Sequence, residues 1–179
     1  MAWSDVDLAW EGLQERAARL EASGRHAAAA EPWAEALRLA REHFAADDPR
    51  LAASLANQAV AARDSGRDDI ASRLFDEALR LWDSSGPWVA ALRPRRQARS
   101  STFHLRLEAK HPGAYGAGAR ERFRALAAEG RAAVVALRDG RHNDTDRPAR
   151  WERERPADFI GARKLLAAVL LIASGRRGP

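Results

Sequence analysis

Along this chain apolar residues return at intervals of three and four, the spacing that lines one face of an α-helix. Breaks punctuate the pattern at Ser23-Gly24-Arg25, Asp47-Asp48-Pro49, Ser65-Gly66-Arg67, Ser84-Ser85-Gly86-Pro87 and His111-Pro112-Gly113. Between them the spacing predicts helices over about 5–22, 26–44, 50–64, 68–83 and 87–110, the last kinked or broken at Pro94, and a further one over about 114–128. Glu129-Gly130-Arg131 either interrupts that helix or starts a short one ending near Asp139-Gly140. Ser4 or Asp5 can cap the first helix. Pro32 falls in the first two turns of the second, where a missing amide disrupts little. Residues 139–156 are charged and turn-rich, with Trp151 as the only sizeable apolar group, which predicts a loop. A last helix is predicted over 157–174.

Two of these segments repeat. Gly24 and Gly66 lie 42 residues apart, and the residues around them match position by position. Before each glycine come Leu13 and Leu55, then Ala17 and Ala59; after it come Ala29 and Ala71, Trp33 and Phe75, and Ala36-Leu37 and Ala78-Leu79. Alanines facing each other let two antiparallel helices approach closely, while the aromatics and leucines fill the gap to the next pair. With Gly113 as origin, Gly118, Ala125 and Leu126 fall at the same offsets and Phe123 is displaced by one, which predicts a third, divergent hairpin.

These offsets resemble the tetratricopeptide (TPR) family. A step of 42 residues is longer than its usual unit of about 34, and is closer to the long repeats of kinesin light chains and their bacterial relatives. Ala30-Glu31-Pro32 and Asp48-Pro49 strengthen that likeness. The resemblance implies an all-α, TPR-like helical-hairpin superhelix with two clear repeats, one divergent repeat and a C-terminal helix. The chain then divides into a repeat region over 1–138, a charged loop over 139–156 and a C-terminal half-repeat or capping helix over 157–179.

In the last helix Leu165, Leu166, Val169, Leu170, Leu171 and Ile172 surround the axis instead of forming one stripe, so more than one side must be covered. Either the charged loop folds it back against its own bundle, or another chain, including a second copy, covers it. Its apolar run, Leu165–Ala173, is nine residues, too short to span a bilayer. The acidic start lacks the basic region and apolar run of a signal peptide, and cytoplasmic residence is expected.

Charge changes the picture more than composition does. Residues 1–89 hold 10 basic and 16 acidic groups, a net of −6, whereas residues 90–179 hold 20 and 9, a net of +11. This suggests an acidic partner, nucleic acid, or the other half of a second copy. There is no cysteine, which excludes disulfides, thiolate metal sites and cysteine nucleophiles.

In the TPR family the first helix of each hairpin lines the inner wall. At equivalent places on that wall stand Glu15, Asn57 and His104, and further along it Glu21, Arg63 and Lys110, so that the wall runs from acidic to basic; Val60 belongs to the same set. The resemblance implies that Asn57 bonds the backbone of an extended peptide, since an amide both donates and accepts; Glu15 and His104 depart from the family there. Asn57, Arg63 and Lys110 are an incomplete version of the clamp with which some TPR domains grip a carboxyl terminus. His104 and His111 are two turns apart on a helix, roughly 10 Å of rise, too far to share one ion. Glu11 and Glu15 read as an ordinary i, i+4 pair. No nucleophile elbow, phosphate-binding loop or zinc-protease motif is present, and neither metal nor cofactor is expected. The expected role is a non-catalytic adaptor, scaffold or assembly factor holding a protein or peptide segment. The alternatives are nucleic-acid binding through Arg93, Arg95, Arg96, Arg99, Arg106, Arg120, Arg122 and Arg124, or a self-associating accessory subunit of an enzyme complex.

Overall fold

The computed structural model describes residues 4–94, 113–142, 146–157 and 161–175. Among them the chain is helical throughout, without strands. The helices are α1 (Asp5–Ala22), α2 (His26–His43), α3 (Pro49–Asp64), α4 (Asp68–Ser84), α5 (Gly86–Ala91), α6 (Ala114–Arg138), α7 (Arg147–Glu154) and α8 (Arg163–Leu170), with a 3-10 turn at Arg155–Ala157 between the last two.

The first two hairpins are built alike, down to their turns. Ser4 caps α1 by accepting from the Asp7 amide while its own amide donates to the Asp7 carboxylate at 2.8 Å. At the end of α1 the chain reverses through Gly24, at φ +75°, and the Arg25 amide donates to Leu20 O; α3 ends identically, through Gly66 at φ +72° with Arg67 donating to Ala62 O. A positive φ at that point is nearly free only for glycine. The seam follows: Ala17, Ala29, Ala59 and Ala71 are all buried, as are Trp33 and Phe75, Ala36 and Ala78, and Leu37 and Leu79. Pro49 occupies the first turn of α3, where its missing N–H costs nothing, and Asp48 caps it by accepting from the Arg50 amide.

The remainder departs from the expected third hairpin. α5 ends at Ala91, with Leu92 already extended ahead of Arg93-Pro94, and residues 95–112 lie outside the described set. α6 runs unbroken for 25 residues. Gly130 does not interrupt it; a Cβ there would sit 2.5 Å from the Trp82 ring, so the glycine admits that ring. Gly118 and Ala125, expected on the seam, are exposed; Ala119 and Phe123 are buried one place later, while Leu126 is buried at its expected offset.

The charged stretch is also corrected. It is not a loop throughout: Arg147–Glu154 is helical, with Trp151 buried on one side. α8 starts at Arg163, later than expected, and packs on α3, α6 and α7, so its own chain covers it. From Leu165 to Ala173 every residue is buried.

Candidate functional site

The inner wall anticipated from the repeat is the face of α1 and α3, and the chain's own C-terminal portion lies against it. Asn57, fully buried, is the centre of the contact. Its side-chain amide donates to Leu171 O at 2.9 Å and to Gln14 Oε1 at 2.7 Å, and its Oδ1 accepts the Ala173 amide at 2.8 Å. One carboxamide thereby satisfies a carbonyl and an amide of a non-helical strand of backbone. Behind it Gln14 Nε2 and Trp10 Nε1 both donate to Ser54 Oγ, which donates in turn to Arg50 O. This buried network leaves Asn57 a single orientation.

Along α1, Asp7, Glu11 and Glu15 form an acidic ladder at i, i+4 and i+8, one turn apart. Each rung meets a cation from the C-terminal portion. Asp7 accepts from Lys164 at 2.8 Å, Glu11 from Arg163 at 2.5 Å, and Glu15 from Arg155 and from Trp151 Nε1. Asp7 and Asp48 also flank Arg50, whose guanidinium lies 3.6 Å from the centre of the Phe44 ring. Burial pushes the Asp7 carboxyl up, but Lys164, the Ser4 amide and Arg50 outweigh it and hold the group well below the usual carboxylate range. Three cations of the basic half, Arg155, Arg163 and Lys164, therefore meet acids of the acidic half within one molecule.

No protein-family model, curated protein or solved structure matches this chain.

Of the six wall residues expected to bind, four are placed by the structure, and all four face the chain itself. Asn57 holds backbone and Glu15 holds Trp151 and Arg155. Val60 is fully buried, and Arg63 donates to Leu137 O at 2.6 Å while lying over the Phe75 ring. His104 and Lys110 lie outside the described residues. The residues sequence reasoning passed over are Asp7, Gln14 and Ser54; in the sequence Glu11 reads only as an ordinary pair with Glu15, and Glu21 only as the acidic end of the wall. Their signal was present in part, because the i, i+4, i+8 acids on α1 mark a face that needs cations.

Glu21, near the end of α1, completes the wall. Burial raises its carboxyl to about 7, although the amides of Ser174 and Gly175 act in the opposite sense; the charge of Asp64 adds to the rise. Among the described residues no donor reaches Glu21 Oε1. Beyond it opens a cavity of about 850 Å³, lined by Glu21, His26, His142, Ile172, Ser174 and Gly175 among others. Among the described residues no three His, Asp or Glu side chains are grouped to hold a metal ion, and no helix is long and apolar enough to cross a membrane.

Proposed function

We propose that this chain is a non-catalytic protein-interaction module of the TPR type, an adaptor, scaffold or assembly factor of the cytoplasm, which holds an extended segment of a partner protein at the Asn57 end of its α1/α3 face. The observation that carries this reading is the paired hydrogen bonding of Asn57 to main chain at Leu171 and Ala173. It recognises backbone without regard to side chains, as the TPR resemblance implies for this position. In the closed form described here the protein's own segment takes the partner's place.

Energetics decide how much of that segment a partner can replace. Exposing the six large apolar residues from Leu165 to Ile172 would cost roughly 9–18 kcal/mol, at about 1.5–3 kcal/mol each, more than most interfaces supply. α8 therefore stays. Releasing only the end beyond Leu171 gives up one large side chain, Ile172, the two bonds to Asn57, the Ser174 and Gly175 amide bonds to Glu21 and the His142 contact with Gly175 O, roughly 4–10 kcal/mol in all. A partner segment that remakes both bonds to Asn57 and those to Glu21 recovers most of that. Of the arginines behind the nucleic-acid alternative, Arg124 pairs with Glu121 on the surface, Arg93, Arg120 and Arg122 are exposed, and Arg95, Arg96, Arg99 and Arg106 lie outside the described residues, so that reading stands as the second one.

The test is a peptide selection on the full chain, followed by NMR of the Asn57 side-chain amide. Selected peptides are expected to shift that signal and to compete with a synthetic peptide of residues 169–175. Peptides that bind tightly and leave the Asn57 signal unmoved would place the partner surface elsewhere.

A further inference from the structure

The cavity at the end of α1 is chemically unlike the rest of the wall. The other acids of α1 that face the C-terminal portion (Asp7, Glu11 and Glu15) are matched by cations, whereas Glu21 is 8% exposed, with an oxygen, Oε1, to which nothing donates among the described residues. That oxygen sits where the chain borders an open volume of about 850 Å³. Asp64 adds a second negative charge close to Glu21, which deepens the demand for a donor. His26 Nδ1 is buried without a partner among the described residues, and His142 Nδ1 is spent on Gly175 O at 3.1 Å. A buried acceptor with no donor costs about 1–3 kcal/mol, more when charged, and a cavity beside it gives a donor room to enter.

We propose that this cavity is a receptor for a guanidinium group, which donates to the Glu21 carboxylate. A guanidinium suits the site better than an ammonium, because its planar fork delivers two parallel donors to one carboxylate and is more weakly hydrated. It also continues the rule of the wall, in which Arg155 and Arg163 answer the preceding acids. Two sources carry this chemistry. One is an arginine of a bound protein; the other is the chain's own Arg176 or Arg177, which follow Gly175 in sequence. The inference does not depend on the Asn57 reading, since a free guanidinium compound fills the cavity without touching the groove.

The experiment titrates N-acetylarginine amide into the full chain, its Glu21→Gln variant and its Arg176→Ala/Arg177→Ala variant. The readouts are the carboxyl-carbon NMR signal of Glu21 and the amide signal of Gly175. Glutamine keeps the shape of Glu21 and removes its charge, so that variant is expected to fold. Saturable binding is expected in at least one chain that retains Glu21, weakened about tenfold or more by Glu21→Gln, with the Glu21 carboxyl titrating at lower pH when the probe is bound. Binding that strengthens about tenfold in the double-alanine variant assigns the site to the protein's own arginines; equal binding in both chains assigns it to a partner's arginine. The proposal is overturned if neither chain binds better than Glu21→Gln, or if the neutral analogue N-acetylcitrulline amide binds as well as the arginine probe.

Discussion

The two hairpins of α1–α4 and the C-terminal portion that fills their face are held by different physics. The hairpins repeat because close approach of two backbones admits only small side chains, and Ala17, Ala29, Ala59 and Ala71 recur wherever that approach recurs. The C-terminal portion repeats nothing. It is fitted to one surface by a charge ladder and a backbone clamp, and its partners are far away in sequence: Glu15 meets Arg155 across 140 residues. A constraint that acts at every turn leaves a period in the sequence, while one that acts once, across the molecule, leaves only complementary charges.

The comparison breaks most severely if the fitted portion is removed. Deleting Ala157–Pro179 is expected to expose the apolar face of α3 and α6 and convert a cooperative fold into an aggregating or dye-binding state, visible by light scattering and by loss of the thermal transition. A truncation that stays monomeric and melts like the full chain would show that the hairpins do not need the filling. Next in size is Arg50→Ala. Arg50 is buried between Asp7 and Asp48, and removing it leaves Asp48 without its cation and Asp7 with Lys164 alone. A loss of about 3–5 kcal/mol is expected in denaturant unfolding; a change under 1 kcal/mol would mean the ladder is ornamental.

How far the fold was legible follows the same division. The hairpins, their glycine turns and their seam were readable from matched offsets around Gly24 and Gly66. The third unit was misread in part: Leu126 is buried where its offset placed it, but Gly118 and Ala125 are exposed, and the buried positions before Leu126 fall one place late, as Phe123 already signalled. Helix α7 was missed because a short helix of arginines and glutamates has no apolar period, and only Trp151 marks its buried side. Of the expected site residues, Asn57 and Glu15 lie where the chain's own C-terminal portion meets α1 and α3. That the occupant is the same chain was not legible, because Leu171 and Ala173 contribute backbone atoms, which any sequence has.

Two carboxylates on α1 sharpen the contrast by titrating in opposite directions. Asp7, matched by Lys164 and Arg50, stays ionised, so its contribution is present above the ordinary aspartate pKa and is lost as pH falls below it. Glu21 runs the other way. Between its unfolded value of 4.5 and its folded value of about 7 the folded chain keeps a proton that the unfolded chain releases, so stability falls as pH rises through that window. At 1.36 kcal/mol per unit this amounts to about 3 kcal/mol. Glu21→Gln is therefore expected to stabilise the protein by up to about 3 kcal/mol at pH 8 and to change little at pH 4. Equal shifts at both pH values would mean that the carboxyl ionises as freely in the folded chain as in the unfolded one.

The smallest effects separate the two kinds of region at single glycines. Gly12 lies on the exposed side of α1 with nothing within 4 Å of a Cβ placed there, whereas a Cβ on Gly130 would meet the Trp82 ring at 2.5 Å. The Trp82 ring is itself buried and cannot swing aside without disturbing α4. Both glycines sit inside helices, so alanine lowers the entropy of the unfolded chain equally at each. Gly130→Ala is expected to cost about 1–3 kcal/mol because overpacking exceeds that gain. Gly12→Ala is expected to stabilise by about 0.5–1 kcal/mol. Measured together by thermal unfolding, opposite signs would show that α6 is set against the hairpins by contact with the Trp82 ring. The same sign at both positions would mean that α6 stands further from α4 than the shared surface of Trp82 and Gly130 requires.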